Sequence, residues 1–287
     1  PGQQSNERGA FHSMLDHFTP EDPSKYILTA DRGYESYDLI FHCESRKLSY
    51  VFRVKGPQVT GSILSSFKSD LPDEQEEFDV IVRRFLTDKK NTIIKKQTDV
   101  YIYMNPSKNI PHFYTLLGNN HVYVLQLRVV KIKTGEDSYE YLISNLPYDP
   151  FSSEDMKWIY HFRWNCEVSF RYLKHAAGML YFHSKKPEFI KQEIYASLTL
   201  YNFGMFIANA ASDENQKKKR NPDNKYIYEI DFSNTIKTVR KYLLHKDFGK
   251  PVDLIRLVMK YVHAVKEEFR HFERHLRSVG AICLNYR

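Results

Sequence analysis

Between residues 160 and 174 the sequence sets four chemically capable side chains at helical spacing: Tyr160, Arg163, Glu167 and Lys174. At ~100° per residue, offsets of 0, 3, 7 and 14 fall within an arc of about 60° on one long helix. The carboxylate can ligate a divalent metal, the cations can hold phosphates on either side of it, and the ring can stack on a base. A plainer arrangement uses the same residues: Glu167 pairs with Arg163 or Arg171 across one turn of a solvated face. A second acid stands far upstream. The segment 25–30 (KYILTA) reads as a buried strand, and Asp31 follows at its C-terminal end, where an aspartate serves either as a ligand or as a turn cap.

The surrounding pattern says which elements carry these groups. Residues 7–18 predict an amphipathic helix with Asn6 as N-cap and Ala10, Phe11, Met14, Leu15 and Phe18 on one face. After a loop with two prolines come the strand ending at Asp31, a helix over 35–45 and a strand over 48–55, the alternation of an α/β sheet. From residue 57 to 149 the β-forming runs 78–86, 100–104, 121–133 and 139–143 are separated by turn signals and predict an all-β insertion. Beyond Pro150 the chain reads as helical. Ser153 is the expected N-cap of a helix running to about Gly178, with Ile159, Phe162, Cys166, Phe170 and Leu173 facing the core. A second long helix spans 187–211 and a basic loop 213–225. A final amphipathic helix covers 252–278, its apolar stripe opposed by Arg256, Lys260, His263, Arg270, Arg274 and Arg277.

Composition narrows the function classes. A net charge of +7 and 15% aromatic residues suit a polyanionic partner such as nucleic acid. Three widely separated cysteines offer neither a disulfide framework nor a CxxC metal knuckle, which points to a reducing compartment. No apolar run approaches the roughly 20 residues of a membrane span, and no signal peptide opens the chain. The 12 histidines form no HExxH or paired-histidine helical spacing, and no GxSxG, Walker or GxGxxG motif is present.

The spacing Tyr160-x2-Arg163-x3-Glu167-x6-Lys174 resembles, without gap or substitution, the YREK signature of the insertion-sequence-four family of DDE transposases. Ala30-Asp31-Arg32-Gly33-Tyr34 resembles that family's second-aspartate motif, Ser144-Asn145-Leu146 its TNL segment, and the closing Asn285-Tyr286-Arg287 its bacterial members. The resemblance implies a ribonuclease H-like catalytic core, residues 1–56 and 150–212, interrupted by the β-rich insertion 57–149 and followed by a basic loop and helical C-terminal region, 213–287. It implies cleavage and strand transfer at DNA phosphodiesters by two magnesium or manganese ions, with Asp31 as second and Glu167 as third metal-binding acid. Tyr160, Arg163 and Lys174 would contact the DNA backbone, while Trp164 would either stack on an unpaired base or join the core. The partners implied are double-stranded DNA, as transposon ends and target, and a second copy of the chain in a synaptic complex, in a bacterial, nucleoid-associated setting. The family's first aspartate lies on an earlier strand, and neither Asp16 nor Asp22 is placed to be it. The sequence is therefore expected to be an N-terminally shortened form, inactive by itself. A non-catalytic DNA-binding remnant of such an element is the alternative, and a different ribonuclease H-like nuclease a third.

Overall fold

A computed structural model describes residues 6–108, 110–217, 226–244 and 253–266. The chain divides into two compact units, 1–167 and 168–287. The first unit begins with α1 (Glu7–His17), whose N-cap Asn6 accepts a hydrogen bond from the Arg8 amide as predicted. Strand β1 (Ile27–Ala30), helix α2 (Tyr37–Ser45) and strand β2 (Ser49–Val54) follow, and β1 and β2 pair in parallel from Ile27↔Ser49 to Ala30↔Phe52. Next come β3 (Phe78–Thr87), α3 (Thr92–Lys96), β4 (Tyr101–Tyr103), α4 (Pro111–Leu117), β5 (Val122–Lys133) and β6 (Tyr139–Ser144).

All six strands form one sheet in the order β1-β2-β6-β5-β3-β4. This corrects the expectation of an all-β insertion over 57–149. That segment contains α3 and α4, and β6 pairs antiparallel with β2 from Val51↔Ser144 to Val54↔Tyr141, so its strands extend the sheet that β1 and β2 begin. The physical reason lies in the alternation along β2 and β5, which are apolar on both faces and must be covered on both. Tyr50, Phe52, Leu125, Leu127, Val129 and Ile143 enter one core with α1, α2 and α4. The intervening Val51, Val130, Ile132 and Leu142 enter a second core with Met156 and Tyr160.

Those last two residues belong to α5 (Ser153–His161), which Ser152 caps in a reciprocal capping box with Asp155, one residue earlier than the Ser153 predicted. Its entry is pinned by Arg128. That side chain is almost fully buried, makes two bonds to Asp79 at 2.8 and 2.5 Å, and donates to the Pro147 and Phe151 carbonyls at 2.9 and 2.7 Å. Asn145 and Ser144 are structural too. Asn145 accepts from the Tyr50 amide and donates to the Leu48 carbonyl, both at 3.0 Å, while the Ser144 hydroxyl donates to the Tyr50 carbonyl at 2.6 Å.

The expected single helix to Gly178 is broken. Phe162 and Arg163 form a turn between α5 and α6 (Trp164–His175). The amides of Arg163, Asn165 and Cys166 bond three residues back rather than four, a local 3-10 winding of about 120° per residue. The ~100° dial therefore does not carry from Tyr160 to Glu167. Nor do Phe162, Cys166 and Phe170 face a core: all three are exposed, and α6 buries no residue.

The second unit holds α7 (Pro187–Gln216), β7 (Tyr226–Ile230), α8 (Phe232–Leu243), α9 (Leu254–Val258) and β8 (Val262–Lys266). Gly204 lets α7 approach α8, since a Cβ there would lie 2.4 Å from Ile236 Cδ1. The predicted final helix ends early. Residues 262–266 pair antiparallel with β7, because an apolar–polar alternation next to a partner strand outweighs a helical period. The rest of the expected helix with Arg270, Arg274 and Arg277, most of the basic loop and Asn285-Tyr286-Arg287 lie outside the described residues.

Candidate active site

Asp31 stands at the carboxyl end of β1 and caps the 3-10 turn that follows, its Oδ1 accepting the Gly33 amide at 2.7 Å. Only glycine suits position 33 without adjustment, since a Cβ there would lie 2.9 Å from that same Oδ1. Arg8 on α1 steadies the turn from outside, donating from Nε to the Gly33 carbonyl at 2.9 Å. The next acid, Glu35, is not a free carboxylate: it is buried and accepts the Lys55 and Ile63 amides at 3.0 and 2.7 Å.

On the helical side, Tyr160 is buried in the second core, and Arg163 lies over its ring at 5.6 Å from the centroid. Arg163 is largely buried, at 17% side-chain exposure, and pairs at 3.0 Å with Glu167, which is 46% exposed. Arg163 Nε is buried with no hydrogen-bond partner among the described residues. Burial opposes the Arg163 charge, but the Glu167 hydrogen bond and the charges of Tyr160, Glu167 and Asp31 outweigh it and hold its pKa above the usual value. Burial, followed by the charges of Glu7, Asp31 and Cys166, likewise raises the Tyr34 pKa.

Other sequence-selected residues fall as follows. Trp164 is 44% exposed, so it is no core residue. Lys174 is exposed on α6. Tyr160, expected against DNA, is buried instead, because α5 lays that face on the sheet.

The part-buried Asp31 and the exposed Glu167 are oxygen donors of the type that hard divalent cations take. The pairing of Glu167 with Arg163 is no obstacle, since the acid is half exposed and an ion pair one helical turn apart is worth only ~0.3–0.5 kcal/mol. In chemistry, though with no shared geometry shown, the two carboxylates fit a divalent metal. No helix among the described residues is long and apolar enough to cross a membrane. A search among curated proteins gives no match. The family described as the transposase DDE domain matches residues 2–203, which takes in Asp31, Arg163, Glu167 and Lys174. With most of its 287 residues inside that match, the chain belongs to the transposase DDE domain family.

Proposed function

We propose that the chain is a DNA transposase of the insertion-sequence-four kind, in which Asp31 and Glu167 are the second and third metal-binding acids. Its family already implies a nuclease and transposase acting on DNA, in domains that generally use divalent metal ions. The observation that supports the finer reading is that Asp31 closes β1 on a capped turn and Glu167 pairs with Arg163 at 3.0 Å, all within the residues that match the family. Magnesium or manganese, two ions in the complete site, would supply activation of the attacking oxygen and stabilisation of the leaving oxygen at the phosphodiester.

The chain's own residues do the positioning. The Gly33 amide and the β1 end fix Asp31, and the sheet fixes α5, which sets Tyr160 beneath Arg163. With Glu167 holding a metal, Arg163 would be free to donate from its Nη groups to a phosphate. Trp164, exposed beside Glu167, offers a face for an unpaired base, and Lys174 holds the backbone further along α6. The ribonuclease H-like core, a homodimer joining two transposon ends, and a bacterial nucleoid setting belong to the same proposal. With two carboxylates in hand, residues 1–287 alone are expected to bind DNA in a salt-sensitive way without joining it.

One observation favours the non-catalytic DNA-binding alternative: in this structure Asp31 caps a turn and Glu167 pairs with Arg163, which is all a plain surface requires. Manganese titration of the full chain, read by electron paramagnetic resonance, separates the two. Asp31→Asn and Glu167→Gln should each weaken manganese binding by about tenfold or more, while metal-free DNA binding stays level or tightens as a negative charge is lost. Manganese binding that both variants leave unchanged would refute the catalytic assignment.

A further inference from the structure

We propose that His12, His42 and His112 form a three-histidine site for a zinc-class divalent transition metal, which ties α1 to α2 and α4. The site lies wholly within the first unit and does not depend on any role for Asp31 or Glu167. The three histidines sit on three different helices, and one ligand nitrogen from each lies within 4.8 Å of the other two. His12 Nδ1 and His42 Nδ1 are 2.9 Å apart, and the His42 and His112 rings stack at 3.8 Å between centroids.

The opposite nitrogens make the case stronger than proximity does. His42 Nε2 is 3.2 Å from Asp16, His12 Nε2 is 3.5 Å from Asp38, and His112 Nδ1 is 3.1 Å from Asp38. Every ring thus has one nitrogen within 3.5 Å of a carboxylate. This is the arrangement in which metal-bound histidines are held, the carboxylate fixing the tautomer and raising the basicity of the ligating nitrogen. His12 Nδ1, His42 Nδ1 and His112 Nε2 are the nitrogens left to ligate. Two nitrogens on one tetrahedral zinc, each ~2.0–2.1 Å from it, stand about 3.3 Å apart, so the 2.9 Å gap would open by ~0.4 Å and the near-parallel rings would turn to converge on the ion.

Ligand chemistry selects the class of ion. Three imidazoles suit zinc, copper or nickel, whereas magnesium prefers oxygen donors. The fold gives such a tie something to do. Leu15 is the one buried residue of α1, with Phe11 packed part-buried on the same core, and its Arg8 steadies the Gly33 carbonyl beside Asp31.

Zinc titration of the full chain against a chromophoric chelator, in excess magnesium, tests the site. Because His42 is buried, the variants use the two part-exposed histidines. One zinc per chain is expected, with affinity about tenfold or more lower in His12→Ala and in His112→Ala, and ~10–100-fold lower in Asp38→Asn. Glu167→Gln and His121→Ala should bind as wild type. Cobalt in place of zinc should show visible ligand-field absorption that His12→Ala and His112→Ala lose. Absence of stoichiometric zinc uptake, uptake that survives the His12→Ala/His112→Ala double variant, or an equal loss in His121→Ala would overturn the proposal and leave the cluster a hydrogen-bonded set of neutral rings.

Discussion

Replacing Arg163 by methionine should leave the fold as stable as before, or more so, while damaging its hold on DNA. Three quantities decide the sign. The pair with Glu167 is half-exposed on the acid's side and spans one helical turn, so its loss costs ~0.3–0.5 kcal/mol. The contact of the guanidinium with the Tyr160 ring contributes ~0.5–1 kcal/mol. Against these stands the buried Nε without a partner, whose removal relieves ~1–3 kcal/mol, and methionine keeps much of the buried stem. The balance runs from about −0.5 to about +2 kcal/mol, centred on a small stabilisation. Urea unfolding at constant m would read this as an unchanged or higher midpoint. Fluorescence anisotropy of DNA binding across a salt series should show the slope falling by ~0.9 if one phosphate contact is lost. A destabilisation of ~3–5 kcal/mol with the salt slope intact would refute the reasoning, because that is the signature of half a buried ion pair.

Three further substitutions probe the supports of the site. Gly33→Ala should weaken manganese binding by displacing the Asp31 carboxylate that the new Cβ would meet at 2.9 Å, while the urea midpoint moves little. Met156→Ala, which empties a fully buried position between α5 and the sheet, should cost ~2–5 kcal/mol in urea unfolding. Asp155 is held below its usual pKa, first by the Ser152 hydroxyl and then by the Ser152 amide. Its stabilisation is therefore present above the unfolded carboxylate value near ~3.9 and lost as pH falls through the lower folded value. Asp155→Asn should flatten the acid limb of a stability–pH curve and leave its neutral region nearly parallel to wild type.

The parts legible in the sequence are those where local chemistry and tertiary packing agree. Asn6 and the apolar positions near Leu15 marked α1, and the run before Asp31 marked a strand that delivers an acid. The β-forming runs of 57–149 were legible as strands but not as members of the first sheet. Pairing across the 90-odd residues between Val51 and Ser144 leaves no local trace. The histidine cluster was invisible for the same reason: positions 12, 42 and 112 meet only because α1, α2 and α4 cover one face of the sheet. Residues 262–266 misled in the other direction, since their apolar spacing fits a helix until β7 supplies a partner.

The break at Phe162 and Arg163 misled most usefully. No proline or glycine announces it, and four residues at helical spacing read naturally as one face. The tighter turn instead divides their tasks. Tyr160 stays with α5 and is spent on the sheet, so it serves the site from below as the surface on which Arg163 rests. Glu167 and Lys174 go with α6, which buries nothing and keeps both groups in solvent. Arg163, in the turn itself, is the one cation of the set that is largely buried, yet its acid partner is half exposed. That asymmetry matters for function. A guanidinium fixed by packing but paired only weakly can change partners from carboxylate to phosphate without the helix moving, at a cost of ~0.5 kcal/mol or less. The salt bridge that makes the site look ordinary is therefore also what keeps it convertible.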